Sequence, residues 1–344
     1  MNRLWRLITN TRELYTIGFL AILFIVTGIV NHDFLTLDNL VLIFNGSVIY
    51  ILLAIGVSFV ILTGDIDVSV GAILGLTSAV CATLIRDGSS LLYASTITIG
   101  LGALIGLVNG LGVTKLRIPA IIMTLGTTGI VRGSIYVYTE GKWIENLPAA
   151  FKSYGQMSLL GFVNVFLLIT VLIVIALHFY LKRGRSGKYF AAIGDNRNGA
   201  VLVGIPVDRI RISAFVLSGI FAALAGIVFA SKIGFITPTA GSGYEMKAIA
   251  ACVLGGISLA GGVGSIVGAM FGAVIMSSIS RILVFLQFSS NLDYTITGVL
   301  LLVIVVVDAL IQQRLKEKSR KERLAAKDLR ARKAFDKKEE DSHD

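Results

Sequence analysis

Apolar residues come in long blocks along this chain, and short polar segments separate them. A helix rises about 1.5 Å per residue, so about 20 apolar residues cross the hydrocarbon core of a bilayer. Ten blocks read as spans: Leu14–Val30, Leu40–Leu62, Val68–Ile85, Leu91–Val113, Pro119–Tyr138, Leu160–Leu181, Ile212–Ala230, Met246–Leu259, Ser265–Leu286 and Tyr294–Ile311. The pattern predicts an all-α integral membrane protein of about ten transmembrane helices. Pro119 opens the fifth block, where its missing N–H costs little. Gly261-Gly262 separates the eighth block from the ninth, and Thr63-Gly64-Asp65-Ile66-Asp67 separates the second from the third. The predicted organisation is an N-terminal segment 1–13, a transmembrane domain 14–311, and a charged tail 312–344 that frays from helix into disorder.

One polar segment is too long for a turn. Residues 182–211 read KRGRSGKYFAAIGDNRNGAVLVGIPVDRIR, with a helix-like apolar pattern at Phe190, Ala191, Ile193, Ala200, Val201 and Val203. Positively charged loops stay in the cytoplasm. With an even number of spans, every basic cluster falls on that side: Arg3/Arg6/Arg12, Lys115/Arg117, the 182–211 loop and the tail. Both termini are then cytoplasmic. Within the loop, Asp195 or Asn196 suits a helix N-cap. The short helix that follows reads either as a knob for a cytoplasmic partner or as a helix lying on lipid headgroups.

Composition agrees with this picture. The chain of 344 residues is 55% hydrophobic and 15% charged, against about 25% charged in soluble domains. Mean hydropathy is +0.83. The net charge of +10 follows the positive-inside pattern, so it implies no nucleic-acid partner. The 37 glycines suit close approach of membrane helices. Cys81 and Cys252 lie inside apolar blocks and read as small buried hydrophobes. His32, His178 and His343 are scattered, so no metal-ligand spacing appears.

Candidate chemistry is sparse. Gly184-Arg185-Ser186-Gly187-Lys188-Tyr189 is two residues short of a phosphate-binding loop, and Tyr189 stands where a hydroxyl should meet magnesium. No G-x-S-x-G or H-E-x-x-H occurs. The sequence therefore offers no catalytic residues and no cofactor. Asp65, Asp67 and Ser69 sit where one apolar block breaks and another starts. Carboxylates at membrane depth mark a pathway, or they form a polar turn in which Asp67 or Ser69 caps the next helix. Arg132, within the fifth block, faces a polar cavity or pairs with one of those aspartates, or it snorkels to the surface. Lys142, Trp143 and Glu145 read as an interfacial aromatic anchor or as a docking point for a periplasmic partner. Glu245 and Lys247, on the same predicted outer side, pose the same choice. The Gly64 break and the Gly255-Gly256 break each precede a glycine-spaced helix. That echo is what an internal repeat framing a transport path would leave, and equally what any glycine-rich membrane helices would show.

Three strings carry a family resemblance: Gly194-Asp195-Asn196 with Ala200 and Gly204-Ile205; Gly64-Asp65-Ile66-Asp67-Val68-Ser69-Val70-Gly71; and Ala248-Ile249-Ala250-Ala251-Cys252-Val253-Leu254-Gly255-Gly256-Ile257-Ser258. They resemble the permease subunits of ribose-type ABC importers over about Leu14 to Asp308. Gly141–Glu145 and Gly234-Phe235-Ile236 with Glu245–Ile249 are most similar to the autoinducer-2 branch of that family. The resemblance implies a second, related permease subunit, cytoplasmic ATPase subunits that bind the ATP, and a periplasmic solute-binding protein. It also implies that Gly194, Asp195, Asn196, Ala200, Gly204 and Ile205 form the coupling helix in the ATPase groove. The implied solute is autoinducer-2, a small polyhydroxylated molecule. A monosaccharide permease of the same family remains open, as does an ion-coupled transporter working through Asp65 and Asp67.

Overall fold

The computed structural model describes residues 12–159, 162–289, 291–310, 313 and 317. Arg3, Arg6, Leu160, Ile311 and nearly all of the 312–344 tail lie outside the described residues. The chain divides into two units, residues 1–301 and 302–344. What is described of the second unit is helical.

Eight of the helices described are long and apolar enough to cross a membrane. They are α1 (Arg12–Val30), the joined pair α2 (Leu37–Gly46) and α3 (Val48–Leu62), α5 (Leu91–Thr114), α6 (Ala120–Thr139), α8 (Val165–Arg183), α11 (Val207–Ile233), α13 (Ile266–Phe285) and α14 (Leu292–Leu310). The other two predicted blocks form shorter helices, α4 (Val70–Arg86) and α12 (Tyr244–Leu254). Helix α12 has 11 residues and is about 16 Å long at 1.5 Å per residue. The predicted block Met246–Leu259 is thus corrected: the helix stops at Leu254, because Gly256 turns the backbone to a φ of +84°.

The long basic loop is mostly helix. It holds α9 (Arg185–Asp195) and α10 (Arg197–Leu202), and α11 begins at Val207 rather than Ile212. Pro206 precedes that start and Asp208 lies in the first turn. A fixed φ and an acidic residue both favour a helix N-terminus there. As a result Arg211 belongs to a membrane-length helix and not to the loop. Between α6 and α8 lie α7 (Ala149–Gln156) and a two-stranded antiparallel hairpin, β1 (Ser158–Leu159) with β2 (Val163–Asn164).

Helix α11 is the axis of the packing. In a bilayer, apolar side chains gain little by leaving lipid for protein, so close backbone contact and hydrogen bonds hold helices together. Gly102, Gly106 and Gly110 form one stripe of α5 at i, i+4, i+8. A Cβ on Gly102 would overlap the Gly219 carbonyl of α11, and one on Gly106 would overlap the Phe215 carbonyl. A Cβ on Gly110 would stand 2.9 Å from Ile212 Cα. Helix α3 is buried at every residue but Tyr50, so it is a core element rather than a lipid-facing one. It crosses α11 at Gly56, whose Cβ would lie 3.0 Å from Ser218 Cα. Helices α12 and α13 cross at Gly255 and Gly268 with the same absence of room.

Candidate functional site

The chain leaves α3 at Leu62 and turns at Gly64, with a φ of +79°. Asp65 follows, buried to 7% exposure, and takes two parallel hydrogen bonds from Arg211, Nε at 2.7 Å and Nη2 at 2.9 Å. Arg197, at the start of α10, stands 3.6 Å from the same carboxylate. Arginine's planar fork matches a carboxylate in this way, and the paired charges are far stronger together than apart. Asp65 is thus the joint between the α3 break, the short helix α10 and the long helix α11.

Asp67 is fully buried. It accepts from the Ser69 N–H at 2.9 Å, Ser69 Oγ at 2.6 Å and Ser218 Oγ at 2.7 Å. The Ser69 hydroxyl accepts in turn from Asn109 Nδ2 at 2.9 Å, and Asn109 Oδ1 accepts from Thr127 at 2.6 Å. This polar chain joins the start of α4 to α11, α5 and α6. The carboxylate bonds the N–H of Ser69, the residue just before α4, in a local turn, and no side-chain hydrogen bond caps that helix, so the capping role read from sequence for Asp67 or Ser69 is corrected. Both aspartates are committed to protein partners.

Three segments meet at glycines beside this joint. A Cβ on Gly194 of α9 would overlap the Leu62 carbonyl and the Gly262 nitrogen. A Cβ on Gly261 would lie 2.8 Å from Gly64 Cα and 2.9 Å from Gly194 Cα. The Gly262 N–H donates to the Leu62 carbonyl at 3.0 Å. The turns that follow α3 and α12 therefore adjoin, and α9 sits on both. Gly255 and Gly256, the start of the second turn, serve close packing and chain reversal respectively.

The α9–α10 corner projects from that base. Asp195 ends α9, and Asn196 caps α10 by accepting from the Gly199 N–H at 2.9 Å. Ala200 packs inward with Ile193 and Val207, and Ile205 packs against them. Gly204 reverses the chain at a φ of +78°. The tip is apolar and bare: Leu202 is 88% exposed and Val203 75%.

The opposite end of the helices departs from sequence expectation. Arg132 does not pair with Asp65 or Asp67. It donates to the Ala240 carbonyl at 2.5 Å and stands 3.8 Å from Glu245. Lys247 is 6% exposed. It is bonded to Asp293, donates to Ser280 at 3.3 Å, and lies 5.4 Å from the Tyr50 ring centre. Glu245 and Lys247 are therefore removed from the surface docking set, because both charges are taken up inside the fold. Trp143 stacks on Phe235 with centroids 5.5 Å apart, and Ile144 and Ile236 exchange backbone hydrogen bonds at 2.9 Å. Lys142 bonds to Glu140 at the surface at 2.8 Å, and that hydrogen bond holds the Glu140 carboxyl below its usual range. Glu145 is exposed.

Arg197, Arg211, Asn109, Ser218, Asp293 and Thr297 escaped the sequence reading. Asn109 left a signal, being a polar residue inside an apolar block, whereas Asp293 stood in the polar stretch just before the tenth block. Arg211 left none, because it counted as part of the basic loop.

Comparison with known proteins agrees with the architecture. The family model described as branched-chain amino acid transport system / permease component matches residues 39–305. The chain belongs to this family of membrane permeases, as a transport subunit of the inner membrane. It is 42% identical over 320 residues to the autoinducer 2 import system permease protein LsrC of Escherichia coli (strain K12 / DH10B), covering 93% of both chains. LsrC of Yersinia enterocolitica is also 42% identical, over 93% of this chain and 89% of that relative. LsrC of Yersinia pseudotuberculosis is 42% identical as well, with 91% of its length covered. No solved structure matches the chain.

Proposed function

We propose that this chain is a permease subunit of an ATP-driven importer that carries autoinducer-2 across the inner membrane. The observation that carries the reading is identity of 42%, sustained over 93% of both chains, with proteins named for that import. The exposed apolar tip at Leu202 and Val203 supports the rest, since an unpaired knob of this kind suits a groove on a cytoplasmic ATPase.

In this reading ten helical segments cross or enter the membrane, both termini are cytoplasmic, and a related permease completes the path. ATP binds the ATPase partners. Their closure moves the α9–α10 corner. Asp65, held by Arg197 and Arg211, passes that motion to the α3 break and to α11. The glycine contact of Gly194 with Gly261 passes it to the turn after α12. The helices then rock between outward-open and inward-open states. A periplasmic binding protein delivers the solute, with Lys142, Trp143 and Glu145 offered to it. Ion coupling through the aspartates is disfavoured, because Asp65 is neutralised by arginine and Asp67 holds three hydrogen bonds.

The test is clearance of autoinducer-2 and of ribose by cells lacking the gene and by the complemented strain. The reading expects clearance of autoinducer-2 alone to be lost and restored. Loss of ribose uptake alone would keep the importer and overturn the solute.

A further inference from the structure

Between the start of α8 and the α5–α11 pair lies a cavity of about 310 Å³, at the end of the bundle opposite the α9–α10 corner. Small-molecule sites run from about 300 to 1,000 Å³. Helix α8 packs on α2, α3 and α13, while its first residues face α5 and α11 across this space. Fixed contacts hold the walls apart. Asn164 caps α8 by accepting from the Phe166 N–H at 2.9 Å, and its Nδ2 donates to the Gly155 carbonyl of α7 at 2.8 Å. The Ser231 hydroxyl of α11 donates to the Phe151 carbonyl of α7 at 2.9 Å. A Cβ on Gly155 would stand 2.6 Å from the Ser231 carbonyl oxygen, so α7 is seated directly on α11. Helix α7 thereby borders the cavity and ties α8 to α11.

The lining is apolar apart from a few hydroxyls. Thr170 is 2% exposed, and its hydroxyl has no hydrogen-bond partner among the described residues. A threonine inside a helix commonly returns its hydroxyl to the carbonyl four residues back, as Thr98 does at 2.7 Å and Thr139 at 2.9 Å. Thr170 makes no such bond and lines the cavity instead. Its oxygen is not sealed in the fold, so the open side it keeps is the cavity. Ser95 of α5 lines the same space, also without a partner among the described residues. At the rim, Leu91 and Ile169 are 38% and 46% exposed on membrane-length helices, so hydrocarbon lies outside it in a bilayer. Helix α8 has 19 residues, which is about 28 Å and close to the thickness of the hydrocarbon core. Thr170 stands about 8 Å along it, with its side chain tilted towards the helix start. That places the hydroxyl within two turns of the headgroup boundary, where phospholipid ester carbonyls sit. A void here would forgo the contacts that a close-packed interior makes. A run of methylene groups restores them, and a carbonyl at its end accepts from Thr170.

We infer that this cavity binds one acyl chain of a phospholipid from the adjoining leaflet, with the ester carbonyl of that chain accepting a hydrogen bond from Thr170. The chain wedges between α8 and the α5–α11 pair. This does not rest on the importer reading. It needs only that these helices span a bilayer.

The experiment uses the purified full chain in detergent, stripped of lipid and titrated with phosphatidylethanolamine whose acyl chain carries a diazirine. After illumination, peptide mass spectrometry locates the label. Labelling is expected to saturate near one lipid per chain and to fall on residues 91–99 and 165–173, which border the cavity. Thr170→Val keeps the shape and removes a hydroxyl that no described group uses. It is expected to raise the lipid concentration at half-saturation about three- to tenfold, the scale of one neutral hydrogen bond, with the thermal midpoint of the lipid-free chain unchanged. The ether-linked lipid, which lacks the ester carbonyl, is expected to label wild type and Thr170→Val equally. Ile173→Trp is expected to fill the cavity and abolish the label there. Label spread over the outer faces of the helices without saturation would overturn the site, since that is the mark of general lipid contact. So would wild-type half-saturation of Thr170→Val by the ester lipid.

Discussion

Asp65 and Arg211 form a buried, two-point ion pair. Removing one member of such a pair leaves an uncompensated charge and costs about 3–5 kcal/mol. Arg211→Ala is therefore expected to lower the thermal midpoint of the purified protein sharply and to reduce its amount in membranes. The double variant Asp65→Leu/Arg211→Met is expected to recover most of that stability, because well-packed apolar residues replace buried ion pairs at little loss. Import should stay low in the double variant if the pair also transmits motion. Sequence made half of this visible. Asp65 stood out as a carboxylate between apolar blocks, but its partner lies 146 residues away and looked like one more basic residue of a loop. Arg132 shows the same limit. Its need for a counter-charge was legible, and the choice of Glu245 over Asp65 depended on how α6 and α12 are placed.

At the scale of elements, glycine decides which helices touch. Helix α5 offers an internal control. Gly106 presses on the Phe215 carbonyl, whereas Gly100 has nothing within 4 Å of where its Cβ would be. Gly100→Ala should leave stability unchanged or raise it by up to about 1 kcal/mol through helix propensity. Gly106→Ala should destabilise by more than that, because the two backbones must separate. Thermal unfolding of both variants in one detergent checks the contrast. Glycine spacing in the sequence announced close packing without saying which stripe packs, since that depends on the neighbouring helix. The α9–α10 corner makes the second element-level case. Its helical character was legible in the apolar pattern of the basic loop, but the early start of α11 was not. Leu202→Asp alters only an exposed side chain, so membrane abundance should hold while import falls at least tenfold if this tip docks on the ATPase. Unchanged import in that variant would remove the coupling role from α10.

For the whole molecule, the architecture joins two turns that lie far apart in sequence. The break after α3 and the break after α12 adjoin through Gly64 and Gly261, and α9 rests on both through Gly194. Ten apolar blocks were legible, and eight of them hold helices long and apolar enough to cross a membrane among the described residues. The other two blocks hold shorter helices, α4 and α12. Hydropathy averaged over a block cannot see where a glycine leaves the helical region, so the shortening of α12 was hidden. The convergence gives one mechanical base from which a movement of the loop corner reaches both halves of the bundle.

That account requires the driving force to arrive through a cytoplasmic ATPase and not through an ion gradient. The measurement that tests it most directly is import of labelled autoinducer-2 into proteoliposomes holding this chain with the permease, ATPase and binding-protein partners proposed for it. ATP and a proton uncoupler would be varied independently. The account predicts import that requires ATP, survives the uncoupler and is lost in Leu202→Asp. Import that proceeds without ATP and collapses with the uncoupler would contradict it.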